Sequence, residues 1–261
     1  MGTLVCFHAH PDDEAIATGG SMARAVAEGH RVVLVVATNG DHGEVPEDLA
    51  PGETLMDRRR NETSRSAEVL GIHRVAWLDY ADSGMTGWDQ NEHEGSFHRA
   101  PLEEAAERLA AILREEAADV LTNYDWHGGY GHPDHIKVHH VGHRAAELAG
   151  TPTVFESTMN RDAIVRMMSE LSTDDQPDFD PNGPSDDGNP FGSTETEITH
   201  AVDVTDWVQR KRASIACHSS QIGDSSFFLS MEEHVFAMAF GTEWFIKKGA
   251  PAGMRAGWLF E

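Results

Sequence analysis

Two short segments of the sequence combine histidine with carboxylate residues at close spacing. The first reads HAHPDDE over residues 8–14, and the second reads WHGGYGHPDH over residues 126–135. Imidazole nitrogen and carboxylate oxygen are ligands that zinc favours, and a catalytic zinc site needs three of them beside an open position for water. Two histidines and one aspartate would suffice, and His10, Asp13 and His135 fit that requirement.

The first segment argues against a nucleotide-phosphate site. It lacks the glycines that cradle a phosphate, and the carboxylates of Asp12 and Asp13 would repel an anion. A cation is the expected occupant. Taken alone, each segment also fits a structural role, because carboxylates at a strand end often cap a helix or complement its dipole.

The strands and helices predicted around these two segments indicate that the segments lie close together in the fold. Apolar runs at residues 3–8, 31–38, 75–78, 119–122 and 153–155 alternate with helical patterns at 14–28, 58–70, 102–116 and 133–149. This alternation predicts an α/β fold of Rossmann-like type, a three-layer parallel sheet with helices on both faces. Ligands of such sheets bind beyond the carboxyl ends of the strands, where both segments would lie.

The region after residue 157 has a different composition. Residues 167–209 contain no Lys or Arg, and residues 174–193 are rich in Asp, Pro, Gly and Asn, which predicts a long surface loop. A strand over 197–203 and an amphipathic helix over 204–218 are expected to follow. We expect one domain over residues 1–261, with an α/β core at 1–157 and a smaller C-terminal cap region at 158–261 that completes the fold.

The net charge restricts the partners. With 20 Lys and Arg against 44 Asp and Glu, the formal charge is −24, which argues against binding to nucleic acid or an anionic membrane. The two cysteines cannot form a disulfide framework, and no leader or spanning segment is visible, so we expect a cytoplasmic protein. The apolar tail could form a homo-oligomer interface, although core packing is the commoner explanation; its large residues are Phe227, Phe228, Phe236 and Trp244.

The remaining histidines carry weaker signals. His139, His140 and His143 continue the second segment at helical spacing, and we expect them to be solvated or packed helix residues rather than ligands. His8 is expected only to line its strand.

The two segments resemble the paired motifs of the PIG-L or LmbE-like family of zinc-dependent N-deacetylases. AHPDDE at 9–14 and GHPDH at 131–135 carry the resemblance. It continues through Arg59-x-x-Glu62 ahead of Leu70-Gly71, through DSGM at 82–85 and to HSSQ at 218–221. It covers most of the chain outside the acidic loop. The chain looks most similar to the subgroup with the N-acetylglucosaminyl-inositol deacetylase of mycothiol biosynthesis and the mycothiol-conjugate amidase.

The resemblance implies a role for each site residue. It makes His10, Asp13 and His135 the zinc ligands, and Asp12 the general base that takes a proton from a metal-activated water. Iron(II) could occupy the same ligand set. His132 and Tyr130 match family residues that stabilise the oxyanion, and Arg59, Asp82 and Glu44 match positions that contact sugar or inositol hydroxyls. For Glu44 and Arg59 the alternative is a surface salt bridge or a place at a helix start. Asp134 is expected to orient an imidazole.

The implied activity is removal of an N-acetyl group from a small glucosamine-containing molecule of the N-acetylglucosaminyl-inositol type. The alternatives are an amidase of mycothiol-type conjugates and a deacetylase of an antibiotic or another N-acyl sugar. After Glu14 the chain reads AIAT at 15–18, without the lysine that the conjugate amidases carry there, which favours a deacetylase.

Overall fold

The apolar runs of the sequence form the centre of one eight-stranded sheet. A computed structural model of the chain describes residues 1–170 and 179–261. The sheet order is β3-β2-β1-β4-β5-β7-β6-β8. The strands are β1 (Thr3–His8), β2 (Arg31–Thr38), β3 (Arg74–Tyr80), β4 (Val120–Tyr124), β5 (Thr153–Thr158), β6 (His200–Asp203), β7 (Thr242–Lys247) and β8 (Arg255–Ala256).

The first five strands are parallel, as the alternation predicts. β1 lies between β2 and β4, with Val5 paired to Val33 and to Leu121. Every residue of β1 is buried, and in β2 only Arg31 is exposed. Continuous β-branched runs form such strands because both faces of the sheet are covered.

Helices cover both faces of this sheet. Val5 and Phe7 of β1 point to one apolar cluster, and Leu4 and Cys6 point to the other. The first cluster includes α4 and α5, and the second includes α2 and the end of α3. The helices are α1 (Asp13–Ala17), α2 (Gly19–Ala27), α3 (Leu55–Leu70), α4 (Leu102–Glu115), α5 (Pro133–Ala149), α6 (Arg161–Glu170), α7 (Val208–Ile215), α8 (Phe227–Ser230) and α9 (Glu233–Phe240).

The helix predicted over 14–28 is two helices, with a break at Thr18. The cause lies far along the chain, because Glu243 of β7 accepts the backbone N–H groups of Gly20 and Ser21, both at 2.8 Å. Glu243 in turn pairs at 2.6 Å with Lys211 of α7, and both side chains are buried. A carboxylate at a helix N-terminus is stabilising, so β7 fixes where α2 begins.

Three strands of the C-terminal part, β6, β7 and β8, extend the sheet, and helix α7 of the same part packs against α1, α2 and α3. β7 runs antiparallel to β5 and to β6, so the complete sheet is mixed rather than parallel throughout. The strand predicted over 197–203 is shorter, and the helix predicted over 204–218 is a 3₁₀ turn followed by α7. In the apolar tail Phe236 is buried, whereas Phe227 is exposed.

The acidic loop predicted over 174–193 is described from residue 179 onward, and its first five residues lie outside the described residues. Residues 179–193 form turns without helix or strand, as expected for a loop. They are attached to the segment after β4, because the N–H of Asp186 donates to the carbonyl of Tyr130 at 3.1 Å and that of Gly192 to Gly129 at 2.6 Å. None of the helices in 1–170 and 179–261 has both the length and the apolar character needed to cross a bilayer.

Candidate metal centre and active site

Both histidine-carboxylate segments lie at the carboxyl end of the sheet. The segment after β1 leads into α1, which begins at Asp13, and the segment after β4 leads into α5, which carries His135 in its first turn. α5 starts as helix rules predict, with Pro133 at its first position and His132 as its N-cap. Neighbouring parallel strands therefore bring residues about 120 positions apart into contact.

Asp13 lies between two imidazoles. Its Oδ2 is 3.3 Å from Nδ1 of His10 and 3.3 Å from Nε2 of His135. Ligand atoms at about 2.0–2.1 Å from a tetrahedral ion lie roughly 3.3–3.4 Å apart, so these separations suit such an ion. Burial opposes ionisation of Asp13, but His135 and His10 hold its pKa well below the usual range.

His135 offers a nitrogen lone pair to this position. Its Nδ1 donates to the carbonyl of Gly128 at 3.1 Å, which leaves the neutral ring without a proton on Nε2. That Nε2 is buried and has no hydrogen-bond partner among the described residues. A buried imidazole nitrogen with a free lone pair, 3.3 Å from a carboxylate oxygen, fits a metal ligand.

His10 is oriented by a carboxylate on its other side. Its Nε2 lies 3.2 Å from Oδ2 of Asp134, which is completely buried and also accepts the N–H of Ser83 at 2.9 Å. Burial opposes a charge on His10, but the surrounding carboxylates of Asp82, Asp13 and Asp134 raise its pKa well above the usual value. The position therefore favours positive charge, which a cation beside Nδ1 would supply in place of a proton.

His132 lies in the same cluster with a different proton arrangement. One nitrogen each of His10, His132 and His135 lies within 4.8 Å of the others. However, Nδ1 of His132 accepts the N–H of Asp134 at 3.1 Å, so a neutral ring carries its proton on Nε2 and presents a donor. Burial and the neighbouring histidines lower the pKa of His132 to about 2, which keeps the ring neutral.

Asp12 has an unusual backbone conformation that its neighbours maintain. Its φ is 98°, in the left-handed region that side chains other than glycine rarely adopt. Arg59 donates from Nη2 to Oδ2 of Asp12 at 3.1 Å and to the carbonyl of Pro11 at 2.5 Å. Burial raises the pKa of Asp12 to about 6, although Arg59 opposes the shift.

Glu14 and His218 form a buried pair behind Asp12. One oxygen of Glu14 accepts the N–H of Asp12 at 3.0 Å, and the other lies 2.7 Å from Nε2 of His218 and 2.6 Å from the hydroxyl of Ser66. Neither residue is among the site residues predicted from the sequence. Both belong to motifs that carry the family resemblance, and only that resemblance could have indicated a role for them.

The remaining predicted site residues, Asp82, Tyr130 and Glu44, differ in their burial. Asp82 is buried, and its Oδ1 lies 3.5 Å from Nε2 of His10. Tyr130 is half-buried, with its ring 4.9 Å from that of His135. Glu44 is exposed, and its backbone is held by two hydrogen bonds with the side-chain amide of Gln221.

A protein-family model described as GlcNAc-PI de-N-acetylase matches residues 5–146, which is more than half of the chain. The chain belongs to the PIG-L family. This confirms the resemblance seen in the paired motifs. The match includes both histidine-carboxylate segments, the parallel strands β1 to β4 from residue 5 onward, and most of helix α5.

Curated relatives of this PIG-L chain match most of its length. A protein of Thermomonospora curvata named 1D-myo-inositol 2-acetamido-2-deoxy-alpha-D-glucopyranoside deacetylase is 35% identical over 96% of this chain and 91% of the relative. A protein of Nocardiopsis dassonvillei with the same name is 38% identical over 82% and 83%. The chain is thus a deacetylase of this family, a hydrolase of amide C–N bonds.

Solved structures confirm the fold of this PIG-L chain. An N,N'-diacetylchitobiose deacetylase from Pyrococcus horikoshii has a TM-score of 0.59 at 23% identity, covering 94% of this chain and 83% of that one. The zinc-inhibited form of teicoplanin deacetylase Orf2 has a TM-score of 0.62 at 16% identity, covering 94% and 97%. The mixed α/β architecture with one central sheet is therefore that of known deacetylases, and members of this family are metalloenzymes.

Proposed function

We propose that this protein is a zinc-dependent deacetylase that removes the N-acetyl group from a small N-acetylglucosaminyl-inositol type of molecule. The observation that carries the proposal is the position of the Asp13 carboxylate, 3.3 Å from Nδ1 of His10 and 3.3 Å from Nε2 of His135. That Nε2 has no hydrogen-bond partner in the part of the chain that the structure describes. The substrate class rests on the curated relatives, which are named as deacetylases of an acetylated glucosaminyl-inositol.

His10, Asp13 and His135 would hold the metal. Two imidazoles and one carboxylate are a ligand set of catalytic zinc sites, and iron(II) could occupy the same set. A divalent ion bound there supplies Lewis-acid activation of water and of the amide carbonyl. Asp134 would keep His10 in the tautomer that presents Nδ1.

Asp12 and His132 would have different roles: Asp12 would transfer protons, and His132 would stabilise negative charge. Asp12 is the proposed general base and would afterwards return the proton to the leaving amine. Arg59 and Glu14 hold it in place from two sides. His132 would donate from Nε2 to the oxyanion that forms on the acetyl carbonyl, because its other nitrogen is occupied as an acceptor. Tyr130, beside the His135 ring, would support the same oxyanion.

The substrate hydroxyls would contact Asp82, Arg59 and Glu44. Charged side chains suit polyols because each side chain can form several hydrogen bonds with neighbouring hydroxyls. The strongly acidic chain favours a neutral substrate over an anionic one. Cytoplasmic location, the absence of nucleic-acid and membrane partners, and a homo-oligomeric state stay predictions.

Acetate release tests the proposal. The zinc-loaded protein is assayed on N-acetylglucosaminyl-inositol and on N-acetylglucosamine, each beside a chelator-treated sample. We expect metal-dependent release, faster from the inositol conjugate. Release only from bulkier acyl conjugates would favour the amidase, for which the chain lacks the lysine expected at 15–18. No amide hydrolysis of any N-acyl amino sugar, with zinc demonstrably bound, would overturn the proposed function.

A further inference from the structure

A buried carboxylate lies behind the backbone that contacts His135. Asp125 directly follows strand β4 and is completely buried. Its Oδ1 accepts the N–H of Gly129 at 2.8 Å, while the carbonyl of Gly128 accepts the Nδ1 proton of His135 at 3.1 Å. We propose that Asp125 is a positioning residue of the proposed metal centre and that it acts on His135 through the intervening peptide group.

The two contacts belong to one peptide group. The carbonyl of Gly128 and the N–H of Gly129 lie on the same planar trans peptide and point in opposite directions, so Asp125 and His135 hold it from two sides. Donation of the N–H to a carboxylate polarises the peptide, because hydrogen bonds in a chain strengthen one another. The carbonyl is thereby a better acceptor for the ring proton of His135.

This contact bears directly on the proposed ligand atom of His135. A firm hydrogen bond at Nδ1 keeps the ring proton there and leaves the lone pair on Nε2, the nitrogen that lies 3.3 Å from Oδ2 of Asp13. Groups that hold the second nitrogen of a metal-binding histidine fix its tautomer and raise its basicity as a ligand. Asp125 would extend this support by one further step.

Glycine at position 128 allows the peptide to lie against the start of α5. Gly128 has a φ of 67°, in the region that favours glycine, and a Cβ there would lie 2.3 Å from Cβ of His135. Gly129 follows with a φ of 79°. Because neither residue has a side chain, the orientation of the peptide depends on contacts from other residues, and Asp125 provides one of them.

Asp125 is itself held by other donors. Its Oδ1 also accepts the N–H of His127 at 3.2 Å, and its Oδ2 accepts the hydroxyl of Thr158, at the end of β5, at 2.5 Å. A buried carboxylate is costly unless hydrogen bonds satisfy it, and these contacts do so. A carboxylate suits the position better than an amide, because an amide has only one accepting oxygen.

A purely structural role for Asp125 would have a different consequence. If Asp125 only folded the turn after β4, its substitution would weaken the metal centre whether or not His135 is present. If it acts through His135, its substitution changes zinc affinity only while that histidine is in place. This inference rests on the proposed function, because His135 matters here as a proposed metal ligand.

Zinc affinity in a double-mutant cycle tests the inference. Wild-type protein, Asp125→Asn, His135→Gln and the double variant each compete for zinc with a chromophoric chelator. We expect Asp125→Asn to weaken zinc binding about 10-fold, the lower end of the range for residues that orient a ligand, because asparagine keeps an accepting oxygen and loses the charge. In the His135→Gln background the same substitution should have no further effect.

Asp119→Asn is the matched control. Asp119 precedes β4 at the opposite edge of the sheet, and its carboxylate also accepts a backbone N–H, that of Thr3 at 2.8 Å. Its substitution should leave zinc affinity unchanged, and circular dichroism monitors folding of every variant. If Asp125→Asn folds poorly, Asp125→Ser takes its place, because a serine hydroxyl can accept the same hydrogen bond within the turn without a charge.

The ring nitrogens of His135 give a second readout. In metal-free protein with isotope-labelled histidine, the nuclear magnetic resonance signals that disappear in His135→Gln report its tautomer. We expect a proton on Nδ1 in the wild type and a larger share of the other tautomer in the Asp125 variant.

Equal zinc affinity of the wild type and a folded Asp125 variant would overturn the inference. An equal loss of affinity with and without His135 would also overturn it, because Asp125 would then act by another route. Failure of the proposed function is distinguishable, since the wild type itself would then bind no zinc, and the inference would be overturned with it.

Discussion

The carboxylate of Glu14 accepts a hydrogen bond from the backbone N–H of Asp12 at 3.0 Å. Asp12 has a positive φ of 98°, and a non-glycine residue in such a region costs about 1–3 kcal/mol. The contact with Glu14, together with the Arg59 contact to the Asp12 side chain, offsets that strain. The proposed general base is thereby fixed beside Asp13 before any substrate arrives, which is the arrangement that proton transfer requires.

Asp12→Asn should abolish most turnover and leave the metal bound. Asparagine has the same shape and tolerates a positive φ, but it cannot accept a proton. We expect kcat to fall about 10²- to 10⁴-fold, the usual contribution of a general base, with unchanged zinc content. Asp48→Asn, an exposed control, should behave as wild type. Near-normal kcat in Asp12→Asn would assign the base elsewhere.

Asp134→Asn should weaken metal binding rather than chemistry. Asp134 is buried and lies 3.2 Å from Nε2 of His10, so its charge favours the tautomer that presents Nδ1 to Asp13. Loss of such a partner lowers metal affinity about 10- to 100-fold. Competition with a chromophoric chelator measures the change, and exposed Asp206→Asn is the control. Equal affinities would show that Asp134 does not orient His10.

The sequence predicted that the proposed metal ligands would lie close together, but it did not predict the residues that hold them in place. β1, β2 and α5 were predicted with the observed bounds because their apolar patterns and end signals are local. The two His-Pro-Asp segments could be placed together because parallel strands end at one edge of the sheet. The role of His218 could not be predicted, because its contact with Glu14 joins residues 204 positions apart. The break before α2 depends in the same way on Glu243.

Lys211→Met should destabilise the fold without touching the site. Lys211 and Glu243 are almost completely buried and lie 2.6 Å apart, and Glu243 also holds the start of α2. Removal of one partner leaves a buried charge uncompensated, which typically lowers the free energy of unfolding by about 3–5 kcal/mol. Urea denaturation measures the loss.

Two further variants show whether the broken ion pair causes the loss of stability in Lys211→Met. Lys248→Met, on an exposed pair with Glu147, should change the free energy of unfolding by less than about 1 kcal/mol. Adding Glu243→Gln to Lys211→Met should recover part of the stability, because the uncompensated charge is then absent. A loss no larger than that of the Lys248 variant would mean that Lys211 and Glu243 contribute little as a pair.

His218→Gln should lower stability in a pH-dependent way. Burial opposes a charge on His218, but Glu14 at 2.7 Å, with Asp12 and Glu62 nearby, raises its pKa above the ordinary value of 6.5. A histidine whose pKa is higher in the folded state stabilises the fold fully below its unfolded pKa, and that contribution disappears as the pH rises through the folded pKa. Glu14, Asp12 and Glu62 all shift the pKa of His218 upward.

Urea denaturation of the metal-free proteins at about pH 6 and about pH 9 measures this dependence on either side of the reference histidine pKa. The wild type should exceed His218→Gln in unfolding free energy by more at the lower pH. His234→Gln is the matched control, because His234 also faces a glutamate, Glu232, but is largely exposed, so its substitution should have little effect at either pH. A stability difference that stays constant or grows between the two pH values would show that His218 is neutral in the folded protein, and its contact with Glu14 would then be an ordinary hydrogen bond rather than an ion pair.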